Sequence, residues 1–193
     1  MLFRSVVNPP GGNDLFVTGL AVNFARQTQS GVDFMVKYDF KMESLGQFHY
    51  QMGGTWYHSY KTFFPGNVVI ESVGKNEATN GTIPHWLTNA TLDLTRGDMN
   101  FGLGLQYLGA VNEVVEPDVV GHQSAFTSID AWAGYHFSSG MLKGLTLKAG
   151  ANNLFDKGPP LSTTVNSGIN YDTTAYSAAT NGRVVYLSGS YKF

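Results

Sequence analysis

The chain has 193 residues, enough for one domain with a sizeable core, yet only 13% are Asp, Glu, Lys or Arg, about half the usual share of a soluble protein. A net charge of −2 with no long basic run argues against nucleic acid as a partner, and zero cysteines remove disulfides, thiolate metal sites and cysteine nucleophiles together. The 23 glycines, 13 phenylalanines and 10 tyrosines point to an all-β chain, since aromatics suit pleated strands and glycine suits turns and close backbone approach.

At the N-terminal end, "MLFRSVVNPPGGND" has one arginine and no apolar core of seven or more residues, so it does not read as a signal peptide. Either the chain is not exported or its true N-terminus is absent. No run of 18 apolar residues occurs, which excludes a membrane-spanning helix but not a barrel, whose signal is alternation over about ten residues. A less regular strand is expected at about Leu15 to Phe24.

The first clear alternation is "VDFMVKYDFKME". Val32, Phe34, Val36, Tyr38, Phe40 and Met42 share one face, and Asp33, Met35, Lys37, Asp39, Lys41 and Glu43 the other. After a turn at 44–46, "QFHYQMGGTWYHSY" puts Phe48, Tyr50, Met52, Trp56 and Tyr60 against Gln47, His49, Gln51, Thr55 and Ser59, which completes a hairpin. "PHWLTNATLDLT" and "MNFGLGLQYLG" form a second hairpin across 96–98, with Leu92, Leu94, Phe101, Leu103, Leu105 and Tyr107 outward. "AFTSIDAWAGYHF" continues through 138–143 into "GLTLKAGANN", and "GRVVYLSGSYKF" is the last strand. About eight strands of ten to fourteen residues result, longer than the five or six usual in soluble sheets. Eleven residues at roughly 3.3 Å each, tilted by about 45°, rise about 25 Å, the height of the apolar band of an outer-membrane barrel.

The connections support the same architecture. They are short at 44–46, 96–98 and 138–143 and long at 61–83, 112–124 and 154–180, the asymmetry of transmembrane barrels. Outward aromatics gather in two girdles. Tyr38, Phe40, Phe48, Tyr50, Phe101, Tyr135, Phe137, Tyr191 and Phe193 fall at the short-turn end, and Trp56, Tyr60, Trp86 and Tyr107 at the other. The expectation is an antiparallel transmembrane β-barrel meander in a bacterial outer membrane, with lipid as one partner.

Five segments carry a resemblance. "GLTLKAGANNLFDKGPP" followed by "GRVVYLSGSYKF" resembles the C-terminal signature of TonB-dependent outer-membrane receptors. "SGVDFMVKYDF" with "LGQFHYQMGGTWYHSY" is similar to the family's internal hairpin, and "IPHWLTNATLDLTRGDMNFGLGLQYLGAV" to its Pro-x-Trp strand pair. The likeness spans about residue 30 to 193. It implies that residues 1–193 are the C-terminal part of such a receptor's barrel domain, about eight strands of a 22-stranded, plugged barrel. The plug domain and TonB-contacting box are absent, so the TonB energising system would act through a plug outside this chain. The implied activity is active uptake of a siderophore, vitamin, oligosaccharide or similar solute. The resemblance also implies that the last strand, with Tyr191 and Phe193, carries the signal read by the barrel-assembly machinery. A different class remains beside it: a stand-alone eight-stranded outer-membrane barrel with a structural or adhesive role, whose interior only side chains would fill.

No enzyme is expected. "GLGLQY" lacks the third glycine of a dinucleotide fingerprint and lies within a strand, the five histidines have no metal-ligand spacing, and Gly-x-Ser-x-Gly is missing. Neither a cofactor nor a metal is implied. Function on a rigid scaffold gathers on loops, so candidate contacts to a small-molecule or metal-chelate ligand are Phe63 and Phe64 in one long loop and Tyr171, Asp172 and Tyr176 in another. The charges on the Val32–Glu43 strand are expected to pair inside the barrel.

Overall fold

A computed structural model of the chain describes residues 2–7, 16–21, 25–115, 118–162 and 171–192. These residues form fourteen strands and a single 3-10 turn, Ser177–Ala179. None of their helical structure is long and apolar enough to cross a membrane.

The main sheet is a meander. Its order is β14 (Val184–Tyr191), β13 (Leu145–Asn152), β12 (Phe126–His136), β9 (Met99–Leu108), β8 (Trp86–Arg96), β4 (Gly46–Phe64) and β3 (Arg26–Met42), with β5 (Val68–Glu71) added to the far end of β4. Every pairing in it is antiparallel. β3 and β4, at 17 and 19 residues, are longer than alternation alone suggests. Among the described residues the sheet does not close: β3 and β14 each pair on one side only. β2 (Phe16–Ala21) lies within the strand expected at 15–24 and, among the described residues, pairs with β1 (Leu2–Val7) and not with β14.

Register carries the alternation across the whole sheet. One row runs Val36, Met52, Ala90, Leu105 and Ile129; another runs Leu92, Leu103, Ala131, Ala151 and Val185. This face is apolar and largely uncovered, with Val36, Leu103 and Leu187 each more than half exposed. The opposite face carries Asp39, His49 and Asp93 in one row and Lys37, Gln51 and Thr91 in the next. Cross-strand partners meet there: His49 Nδ1 lies 2.6 Å from Asp39 Oδ1, and the Thr55 hydroxyl donates to Asp33 Oδ1 at 2.6 Å. Further along the same face, Trp132 lies across Gly102 and Tyr186 across Gly150, so large and small residues alternate along the row. Lys148 sits 4.9 Å above the Trp132 ring.

The three connections expected to be short, at 43–45, 97–98 and 137–144, lie at one end of the main sheet. The longer connections at the other end are not bare loops. They contain β5 and a second sheet, order β11 (Asp118–Gln123), β10 (Val111–Val115), β6 (Lys75–Glu77) and β7 (Gly81–Ile83), in which β10 and β6 run parallel. Short strands of three to six residues inside polar loops give little periodicity to read, which is why the sequence marks 61–83 and 112–124 only as connections.

Aromatic rings on the apolar face cluster at both ends. Phe40 stacks on Phe48 at 4.8 Å and on Tyr38 at 5.5 Å, while Tyr135 meets Phe137 edge-on at 4.8 Å. At the long-connection end Trp86 meets Trp56 and Phe34, each at 6.3 Å. Tyr60, expected in that outer group, faces the other way. Gly31 pairs with Tyr57 but Ser30 pairs with Ser59, so His58 is an extra residue in β4. Such a β-bulge shifts the alternation by one position, and Tyr60 joins Tyr57 on the polar face. Tyr191 lies on the apolar face opposite Leu145, 53% exposed. Phe193, the other residue of the expected assembly signal, lies outside the described residues.

Candidate functional site

The molecule's buried core sits on the polar face of the sheet at its long-connection end. Leu108 and Phe126 pair across β9 and β12, and Tyr176 packs on them, its ring 5.6 Å from Phe126 and nearly perpendicular to it. Leu87, Tyr171 and Ala175 complete the cluster. The segment 171–180 is thereby laid over the inner face as a cap.

What holds the cap is one carboxylate. Asp172 Oδ1 accepts from the N–H groups of Thr174 (2.9 Å) and Ala175 (3.1 Å), and Oδ2 accepts from the Thr82 N–H (2.9 Å) in β7. Gly81, at φ +71°, makes the approach possible: a Cβ there would stand 2.8 Å from Asp172 Oδ2. Burial pushes the Asp172 carboxyl up, but the N–H groups of Ala175 and Thr82, the nearby Thr82 hydroxyl and the Thr174 N–H outweigh it and leave the pKa below the ordinary 3.8. The folded value is depressed, so this anchor is fully present above 3.8 and is lost as pH falls through the lower folded value. Asp172→Asn is expected to lower the local opening free energy of the cap by about 1–2 kcal/mol. The measurement is amide exchange at Thr82 and Ala175; unchanged rates would remove Asp172 from this role.

Tyr176 responds at the opposite extreme of pH. Burial first, then the negative charges of Asp172 and Glu113, push its phenol up to about 12. Its O–H donates to Gln123 Oε1 at 3.4 Å, and Gln123 Nε2 donates to the buried Glu113 at 2.9 Å. Because the folded value exceeds the ordinary 10.0, stability is complete below pH 10 and declines from there towards 12. A Tyr176→Phe variant should lose that alkaline decline, as followed by unfolding titrations from pH 9 to 12.

A second polar cluster ties the segment 71–80 to β4. Buried Glu77 accepts from the Ser72 hydroxyl (2.9 Å) and the N–H groups of Thr79 (2.6 Å) and Asn80 (2.9 Å). Asn80 Nδ2 then donates to Ser72 and to buried Thr62, at 2.8 and 3.0 Å. Glu71 accepts from the Tyr60 N–H and the Ser59 hydroxyl, both at 2.7 Å. Burial raises its pKa, yet these two bonds, the Val73 N–H and Lys61 bring it below the ordinary carboxylate value.

Between cap and sheet lies a cavity of about 270 Å³. Tyr57, Tyr60, Pro84, Leu87 and Leu108 supply its apolar wall. Thr82, Gln106, Thr174 and Ser177 supply polar atoms, and among the described residues no charged side chain lines it. Gln106 Oε1 is buried without a hydrogen-bond partner, while the buried Thr82 hydroxyl lies beside the Asp172 carboxylate.

The loop residues expected to contact a ligand are distributed differently. Tyr171 and Tyr176 are core, and Asp172 is the anchor; they build the cap, while their neighbours Thr174, Ala175 and Ser177 face the cavity. Phe63 lies under the Arg26 guanidinium, 4.5 Å away, and Phe64 closes the β4–β5 hairpin opposite Val68; neither lines the cavity. Tyr57 and Gln106 were not legible as site residues, because both sit inside strands and no loop signal marks them.

The two halves of the C-terminal signature meet at this end. Asn153, at φ +49° and buried, donates its N–H to Asp130 (2.8 Å) and brackets Lys157 through both ends of its amide (2.9 and 3.0 Å). Asp156 accepts from the Arg183 N–H at 2.8 Å. The signature is thus a clip between the exit of β13 and the entry of β14. Among the described residues no group of His, Asp and Glu could hold a metal ion. Comparison with family models, curated proteins and solved structures finds no match to this chain.

Proposed function

We propose that the chain is a sector of a TonB-dependent receptor's barrel in a bacterial outer membrane, forming part of the wall and outer mouth through which a solute is taken up. One observation carries the reading: a continuous apolar face spans seven strands and stays largely uncovered, while the cap lies on the opposite, polar face at the long-connection end. A soluble sheet protein buries its apolar face and leaves the polar one to water; an open apolar surface of this extent calls for lipid or another apolar layer. In β4 the aromatic bands at Phe48 and Trp56 stand eight residues apart, about 19 Å of height at ~3.4 Å per residue and a tilt of about 45°, which fits within the ~25 Å apolar band of such barrels.

The edges of β3 and β14, unpaired among the described residues, favour a sector over a stand-alone eight-stranded barrel. In hydrocarbon an unpaired strand edge is not tolerated, so a sheet in a membrane closes on itself or on further strands. The uptake role and its TonB coupling rest on the resemblance of the two terminal segments. The test is refolding of the full chain with phospholipid vesicles, where further copies of the chain can supply the strands that close its edges, followed by flotation and alkaline extraction. Carbonate-resistant flotation is the expected result, and recovery as a folded monomer in the aqueous phase without detergent overturns the reading.

A further inference from the structure

The cavity under the cap has features that its structural role leaves unexplained. Buried polar atoms are nearly always paired, because an unpaired one forfeits its bonds to water. Here one such atom, Gln106 Oε1, belongs to a residue lining a space that also takes in Thr82, and that space is larger than a single bridging water requires. An amide oxygen only accepts, so the missing partner is a donor. With no charge in the lining, an ionic ligand would enter unpaired, which disfavours it strongly. The two tyrosine rings, Pro84, Leu87 and Leu108 meanwhile offer apolar surface to a flat or ring-shaped body.

We propose that this cavity binds a neutral, ring-shaped, hydroxylated ligand, with a pyranoside as the simplest member of the class. The ligand's hydroxyl groups donate to Gln106 Oε1 and exchange a bond with the Thr82 hydroxyl, and its C–H face rests on Tyr57 and Tyr60. The bulge at His58 matters for specificity, since it brings the second tyrosine onto the polar face. The capping segment forms the opposite wall, so Asp172, although it does not line the cavity, is a positioning residue for the site. The inference rests on the reading of this end as the mouth facing the solute.

The experiment is a saturation-transfer titration of the full chain with methyl β-D-glucopyranoside, in zwitterionic micelles free of any sugar-headed detergent. Glucuronate at equal concentration is the charged control. Saturable binding of the glycoside and none of glucuronate are expected. Gln106→Met, which keeps volume and removes the acceptor, should weaken binding about three- to tenfold. Tyr60→Ala should weaken it about tenfold. Thr82→Val, which leaves the backbone anchor to Asp172 in place, serves as the second acceptor test if Gln106→Met fails to fold. The proposal is overturned by no saturation up to on the order of 100 mM, by equal binding of all folded variants, or by a density map in which waters alone bridge Gln106 and Thr82 and the glycoside does not displace them. Flotation separates the two readings. A chain that floats but does not bind defeats this site alone, whereas a chain that binds as a folded monomer in water defeats the membrane reading alone.

Discussion

Leu103→Arg is expected to cost about 2–4 kcal/mol of folding stability in a bilayer, the depth-dependent penalty for arginine on the lipid face near the midplane. Leu103 lies at the middle of β9, 51% exposed, with Leu92 and Ala131 as cross-strand neighbours on the apolar face. The same change in a protein whose outer surface meets water would fall within about 0.5 kcal/mol, since half-exposed surface positions away from special features tolerate substitution. Denaturant titrations of the chain folded into vesicles distinguish the two cases. Thr91→Arg is the internal control. Thr91 sits on the polar face between Gln51 and Gly104, and its change should leave stability nearly unaltered. If both variants behave alike, the two faces of the sheet do not differ in surroundings, and the membrane reading falls.

Gly31→Val should destabilise the chain by about 1–3 kcal/mol through overpacking. A Cβ at position 31 would stand 2.5 Å from the Trp56 carbonyl oxygen and 3.3 Å from the Tyr57 Cα, and both are backbone atoms of the bulged strand that cannot turn away. The clash is a property of the bulge, which suggests a second variant. Deleting His58 returns β3 and β4 to a regular ladder, with Tyr57, Ser59 and Tyr60 still alternating and Tyr60 still facing inward. The deletion should therefore relieve a large part of the Gly31→Val cost when the two are combined, and a double-mutant cycle measures that coupling. Strictly additive losses would separate the glycine from the bulge.

The all-β class, the long antiparallel strands and the alternation of faces were legible because period-two patterning is written into each strand separately. Val36, Phe101 and Leu187 can be assigned a face without knowing their partners, and the register then aligns them. Tyr60 could not be assigned this way. Its orientation depends on one surplus residue, His58, and nothing in "TWYHSY" announces a bulge. The site suffers from the same nonlocality. Asp172 reads as a loop carboxylate available to a ligand until Thr82, ninety positions earlier, presents its N–H. Gln106 and Leu87 read as ordinary strand positions until Thr174, Ala175 and Ser177 are laid over them. Asn153 is the contrary case: an Asn-Asn pair ending a strand signals local backbone capping, and its amide does bracket Lys157 four residues on.

The order of the main sheet also bears on how quickly the chain can be built. Each long strand pairs with the next long strand in sequence, and the largest ladder, β3 with β4, is also a hairpin closed by the short turn at 43–45. Contacts between sequence neighbours cost little loop-closure entropy and favour rapid folding. The expected kinetics are those of a zipper: nucleation at the β3–β4 hairpin, accretion of β8 and β9, then β12 and β13, and a final slow step in which β14 docks across the 31 residues that separate Asn152 from Val184. The rate-limiting event would be the arrival of the last strand, and changes within the clip between Asp156 and Arg183 should slow folding more than changes of equal cost at the turns of the earlier hairpins.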